Sequence, residues 1–236
     1  MTKNTVAKHW HLGVIPLYFL SITGLSCVEL MENTYAQTAN NWSTYQYPSP
    51  DYTLKYPPTW KVAYTVPGVI MGLNNTLAFP TDENPFAFRG EIVDVTIEKS
   101  DPLGDENTTQ DIASRVIEDS QNPENSPNTY TSNDFKYHEV DTNSTIGGLP
   151  AVKTVTESTD LAGKTTTYET TYELIRNVTS KYPTDYAYMD PPDYYVIKYS
   201  AISTLGTASD LYKSHLANGQ AILDSIRFPE ESTFTQ

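Results

Sequence analysis

The chain has 236 residues, 38% hydrophobic and 19% charged, which is enough apolar material for one well-buried core and excludes wholesale disorder. Its formal net charge of −14 comes from 29 acidic against 15 basic residues, with no run of Lys or Arg to relieve it. Such a surface repels phosphate backbones, so nucleic-acid binding is excluded; cations and basic protein faces are the favoured electrostatic partners, and the charge also serves solubility.

Residues 1–36 read as an export signal or N-terminal anchor. Lys3 and Lys8 precede an apolar stretch from Leu12 to Leu25 (LGVIPLYFLSITGL), followed by a polar exit. The stretch is short of the ~20 apolar residues a spanning helix needs, and Pro16 interrupts it. One cut after Thr34-Tyr35-Ala36 releases Gln37; another, after Gly24-Leu25-Ser26, leaves Cys27 terminal in the manner of a lipoprotein, though Leu25 is one position out of place. Soluble release, an uncleaved anchor and lipidation are thus three outcomes, and each places the chain outside the cytoplasm, secreted or membrane-anchored. Cys27 is the only cysteine, so the folded part has no disulfide, thiolate nucleophile or cysteine-based metal site.

A polar linker (37–44) leads into a domain predicted over 45–229, with 230–236 as a tail. Tyr52, Leu54 and Tyr56 alternate with polar neighbours, as do Trp60, Val62 and Tyr64, and Pro57-Pro58 separates the two strands. Glu91–Lys99 forms the next strand, with Val93, Val95 and Ile97 on one face. Thr108 caps a first helix, completing a capping box with Asp111, and Ile112, Val116 and Ile117 form its apolar stripe. A weaker strand at 135–140 precedes a Gly147-Gly148 turn and a strand over Ala151–Glu157. Thr166–Ile175 alternates cleanly, with Tyr168, Thr170, Tyr172 and Leu174 on one side, and Tyr194–Ile202 closes the strand series. A second helix over about 209–225 carries Leu211, Tyr212, His215, Leu216, Ile222 and Leu223 at helical spacing, with Gly219 allowing close packing on a sheet. Strands interrupted by isolated helices predict an α+β domain, an antiparallel sheet with helices packed on it.

Three segments, YTLKYPPTWKV (52–62), EIVDVTIEK followed by a helix (91–121), and YYVIKYSAI followed by a helix and DSIRF (194–228), together resemble the PsbP-like family, named for an extrinsic lumenal subunit of photosystem II. Tyr56, Pro57 and Trp60 match its "YP-x-x-W" strand entry, and Ser225-Ile226-Arg227-Phe228 loosely matches its closing strand. Exported archaeal members share the Thr/Asn/Tyr-rich style. The resemblance implies a central antiparallel sheet between helical layers and a non-catalytic accessory role at a membrane complex, with calcium or manganese nearby. No metal-ligand motif of the family carries over residue by residue, and nothing in the chain points to photosynthesis.

The segment DPLGDEN places Asp101, Asp105, Glu106 and Asn107 around a glycine, all hard oxygen donors suited to Ca2+; the alternative is an ordinary acidic turn before a helix N-terminus. Asp185, Asp190 and Asp193 make a second acidic group. The segment SKYPTDYAYMDPPDYY (180–195) gathers Tyr182, Tyr186, Tyr188 and Tyr194 among prolines, a composition suited to capturing a protein partner, or else to a hairpin tip whose rings pack locally. Outside the signal segment only His138 and His215 remain, too few for a zinc catalytic centre, and no G-x-S-x-G, P-loop or G-x-G-x-x-G occurs. Carboxylates suffice for a glycosidase pair but nothing in the pattern locates one, so no enzyme is expected. Five N-x-S/T sequons, at Asn41, Asn74, Asn107, Asn143 and Asn177, suit an exported protein. The function expected is a non-catalytic extracytoplasmic module that binds a protein at a membrane or cell-surface complex, with Ca2+ as a candidate ion. A calcium-dependent structural domain of the cell surface and, third, a carbohydrate-active enzyme are the alternatives.

Overall fold

A computed structural model of the chain describes residues 41–46, 52–66, 70–74, 80–81, 84–88, 90–100, 106–123, 132–176 and 193–229. All belong to the unit Asn41–Gln236, which separates from Met1–Asn40; the signal or anchor expected at 1–36 lies outside the described residues.

In chain order the elements are β1 (Ser43–Gln46), β2 (Thr53–Tyr56), β3 (Lys61–Val66), β4 (Ile70–Asn74), β5 (Pro80–Thr81), β6 (Asn84–Phe88), β7 (Glu91–Ser100), α1 (Thr109–Gln121), β8 (Ser132–Ile146), β9 (Leu149–Asp160), β10 (Thr166–Arg176), β11 (Asp193–Ser203) and α2 (Ala208–Asp224). Seven strands form one sheet in the order β3-β4-β7-β11-β10-β9-β8, and every pairing is antiparallel. The predicted α+β class, with helices packed on an antiparallel sheet, is the observed one.

Strand alternation divides the apolar residues between two cores, because successive side chains leave a strand on opposite faces. On one face Val93, Val95, Ile97, Leu174, Tyr195, Ile197 and Tyr199 pack with Tyr212, Ile222 and Leu223 of α2, and Trp60 and Leu54 close the same cluster. On the other, Val152, Ile175 and Tyr194 meet Ile112, Ala113 and Val116 of α1. The helices therefore sandwich the sheet. Gly219 makes the α2 contact possible: a Cβ built there would lie 2.3 Å from the Tyr199 ring.

Local signals end the elements where they should. Thr108 accepts the Asp111 N–H at 3.2 Å, while the Asp111 carboxylate accepts the Thr108 N–H at 2.9 Å, the expected capping box. Gly147 (φ +59°) and Gly148 (φ +85°) form the tight turn between β8 and β9, at φ values that favour glycine. After β2, the Pro57 carbonyl accepts the Trp60 N–H at 2.9 Å, and the chain leaves the β1–β2 ribbon for the large sheet.

Three expectations change. The weak strand at 135–140 is the middle of a 15-residue edge strand with three register shifts against β9. Strands β1, β4, β5 and β6 were not expected; β1 begins within the stretch read as a linker, and β4 lies between β3 and β7. Ile117 and Leu216, placed on apolar stripes, are 40% and 38% exposed, because Ala113 and Tyr212 supply the contacts to the sheet instead.

Candidate functional site

The segments singled out by sequence are rooted side by side at one end of the large sheet. Ser100, the last residue of β7, pairs with Tyr194 near the start of β11, and Arg176, the last residue of β10, pairs with Asp193. The acidic stretch that begins at 101 and the tyrosine-rich stretch that runs to 192 thus attach to adjacent strand ends, with the N-terminus of α1 beside them.

Arg115 organises this end. It is the only basic residue of α1, and its guanidinium donates to Glu106 Oε1 at 2.6 Å and Glu173 Oε2 at 2.5 Å, with Asp119 Oδ2 at 3.8 Å. The Tyr194 hydroxyl donates to the same Glu173 oxygen. Burial and the Glu173 charge together hold the Tyr194 phenol far above its ordinary range. Arg115 stays charged, because the two carboxylates outweigh its partial desolvation. Nearby, Lys99 Nζ lies 2.9 Å from Asp193 Oδ1 and 5.8 Å from the Tyr195 ring centroid.

Of the expected calcium donors, Glu106 and Asn107 are described. Glu106 is engaged by Arg115 through Oε1, while its Oε2 is buried without a hydrogen-bond partner. The Asn107 N–H donates to Asp111 Oδ2 at 3.0 Å, so this stretch forms the approach to the helix cap. Asp101 and Asp105 lie outside the described residues, and among the described residues no three His, Cys, Asp or Glu side chains are placed to hold a metal ion. Of the tyrosines assigned to partner capture, Tyr182, Tyr186 and Tyr188 lie outside the described residues, as do Asp185 and Asp190. Tyr194 differs from the expectation: it is 3% exposed and packs in the α1 core, because its position in β11 turns it toward the helix. It anchors the root of the segment rather than offering contact surface.

On the α2 side of this end a polar groove of about 220 Å³ is lined by Gly147, Gly148, Tyr172, Gln220, Asp224 and Arg227, among others. Arg227 Nη1 donates to the Asp224 and Ile226 carbonyls at 2.7 and 2.6 Å, covering the C-terminus of α2.

Further ionisable groups lie elsewhere on the sheet and on α2. His138 lies on the edge strand, stacked on Tyr168 with ring centroids 5.1 Å apart and Nε2 3.0 Å from Glu157 Oε2. His215, expected on the apolar side of α2, is half-buried. Asp94 of β7 faces away from α2 and accepts a hydrogen bond from the Ser200 hydroxyl; burial raises its carboxyl to about 6, against that hydrogen bond. Glu169, across β11 from it, is 3.7 Å from Lys198 Nζ. Sequence reasoning missed Asp94 because the alternation of β7 assigns it to a polar face and does not show that its carboxyl is buried there. Arg115 carried a readable signal: a lone basic residue four positions before Asp119 on an acidic helix.

No protein-family model matches the chain, and no curated protein matches it. Among solved structures, the chain is similar to the crystal structure of LpqN, involved in cell envelope biogenesis of Mycobacterium tuberculosis, at 13% identity over 80% of this chain and 91% of that one, with a TM-score of 0.42.

Proposed function

We propose that the chain is a non-catalytic, extracytoplasmic binding module that presents the Arg115 end of its sheet to a protein partner at a membrane or cell-surface complex. The observation that carries this reading is the pairing of Ser100 with Tyr194, which roots the acidic stretch and the tyrosine-rich stretch next to each other. Acidic and tyrosine-rich sequence attached to adjacent strand ends has a composition suited to a basic, partly apolar protein face. The ionisable groups at this end of the sheet hold one another: Arg115 with Glu106 and Glu173, and Glu173 with Tyr194. That is the pattern of a rigid foundation rather than of acid and base groups poised for turnover.

Export rests on the basic and apolar pattern of residues 1–36. Likeness to PsbP supports the accessory role. Its two matched ends come together here, since Trp60 is buried in the α2 core and Thr53 bonds to Arg227. Calcium linkage would depend on Asp101 and Asp105, because Glu106 and Asn107 are already engaged.

The test is capture of partners from an envelope fraction by the full chain and by a chain lacking residues 183–192, each shown to be folded by its unfolding transition. Loss of a discrete captured protein on deletion is the expected result. Equal capture by both chains sinks the assignment of this end, and recovery of the chain from the cytosol alone sinks the compartment.

A further inference from the structure

We propose that Asn143 is an N-glycan acceptor, held out from the free edge of the sheet by a bulge in β8. The inference rests on the extracytoplasmic reading, since glycan transfer of this kind acts on exported chain.

The fold separates the five sequons. Asn74 ends β4, where it pairs with Lys61 on one side and Asp94 on the other, so it lies inside the sheet. Asn107 is exposed, but the Thr109 hydroxyl of its sequon accepts the Ile175 N–H at 3.3 Å, and Thr108 is bound into the helix cap. In the Asn41 sequon the middle residue, Trp42, packs on the core, and Ser43 pairs with Tyr56. Asn177 lies outside the described residues.

Asn143-Ser144-Thr145 is different in each respect. Asn143 and Thr145 are both exposed. Between Asp141, which pairs with Lys153, and Ser144, which pairs with Ala151, β8 advances one residue more than β9, so Thr142 and Asn143 together oppose Val152. The bulge frees the backbone at Asn143 from the ladder. Its shape is fixed by Asp141: one carboxylate oxygen accepts the Asn143 N–H at 2.9 Å and the other the Ser144 hydroxyl at 2.8 Å. These two bonds also hold the Asp141 carboxyl below its usual range. Among the described residues β8 is the last strand of the sheet, so the exposed acceptor lies at an edge where a further strand could otherwise add.

In the transfer, the Asn143 side-chain nitrogen bonds to the anomeric carbon of a lipid-diphosphate-linked oligosaccharide. The anomeric C–O bond breaks, the lipid diphosphate leaves with the bonding pair, and the amide gives up one proton; no oxidant or reductant is needed.

The folded full chain is incubated with a purified oligosaccharyltransferase and lipid-linked oligosaccharide, using a short sequon peptide as positive control, and is then read by intact mass and peptide mapping. The expected result is one glycan mass, located on Asn143, absent in Asn143→Gln and Thr145→Ala and retained in Thr145→Ser. No glycan on Asn143 of the folded chain, or a glycan on Asn41 or Asn107 with Asn143 bare, overturns the proposal. Cell fractionation tests the compartment separately: a chain that accepts the glycan in vitro yet stays in the cytosol defeats the extracytoplasmic reading and leaves the acceptor geometry standing.

Discussion

Thr53 and Arg227 hold each other through two backbone hydrogen bonds, the Thr53 N–H donating to the Arg227 carbonyl at 2.8 Å and the Arg227 N–H returning to Thr53 at 2.9 Å. Beside them the Lys55 N–H donates to Ser225 Oγ at 2.8 Å. Strand β2, early in the chain, is thereby tied to the segment that follows α2, and Ile226, next to Arg227, is fully buried. Ile226→Ala removes a branched side chain at that closure and should cost about 2–4 kcal/mol of unfolding free energy. Urea denaturation measures it; a loss below about 0.5 kcal/mol would show that the closing segment is peripheral to stability.

Gly219 and Tyr199 set how closely α2 approaches the sheet. Alanine normally favours a helix over glycine by about 1 kcal/mol. Here its Cβ would sit 2.3 Å from a buried ring whose hydroxyl donates to the Tyr212 carbonyl at 2.8 Å, so the ring cannot swing aside freely. Gly219→Ala should therefore destabilise, by about 1–3 kcal/mol. Its unfolding midpoint in urea tests the sign, and a stabilised variant would show that α2 has room to shift.

Asp94 gives stability a pH dependence of unusual sign. Its carboxyl titrates near 3.8 when unfolded and at about 6 in the fold, because burial disfavours the charge. Between those values the folded state binds more protons than the unfolded state, so stability falls as pH rises from about 4 through 6. The contribution is about 2–3 kcal/mol in full, at about 1.4 kcal/mol per pH unit. Asp94→Asn should be more stable than the parent at pH 7, with the gap closing near pH 4. Parallel denaturation curves at the two pH values check this; a variant less stable than the parent at pH 7 would mean that the Asp94 charge is favoured in the fold.

How far these features were legible follows from what local pattern encodes. The capping box of Thr108 and Asp111, the Gly147-Gly148 turn and the alternation of β10 are short-range relationships, and each appears in the sequence as it does in the fold. Strand β8 was only partly visible because its three bulges break the period of two on which strand recognition depends. Tyr194 shows the limit at the site itself. The sequence grouped it with the tyrosines preceding it, whereas strand parity turns it into the α1 core, a distinction that composition does not carry. The meeting of Glu106 and Glu173 on one guanidinium is a long-range contact, and only the sheet order reveals it.

Arg115→Met tests that meeting point. Glu106 and Glu173 side chains are 10% and 14% exposed, and the substitution leaves both without their cation. Removing one partner of a buried pair costs ~3–5 kcal/mol, but Arg115 itself is about a third exposed, and solvent screening lowers the expected loss to about 2 kcal/mol. The loss should be recovered in part by the further change Glu173→Gln, which removes one of the stranded charges. Unfolding free energies of the single and double variants give the coupling directly. Additive losses would show that the two groups act independently.

Calcium separates the two readings of the acidic stretch. Arg115 places a fixed positive charge 2.6 Å from Glu106 Oε1, and the Asn107 N–H is committed to Asp111, so the last two residues of DPLGDEN work as a helix approach. Millimolar Ca2+ at matched ionic strength should then leave the thermal midpoint where KCl leaves it. An ion bound only by the folded state would instead stabilise it by about 2.7 kcal/mol at a hundredfold excess over Kd. A rise of that size, abolished by Asp101→Asn or Asp105→Asn, would establish a calcium site built from those two carboxylates and move the partner-binding role of this end from electrostatic attraction to ion-dependent assembly.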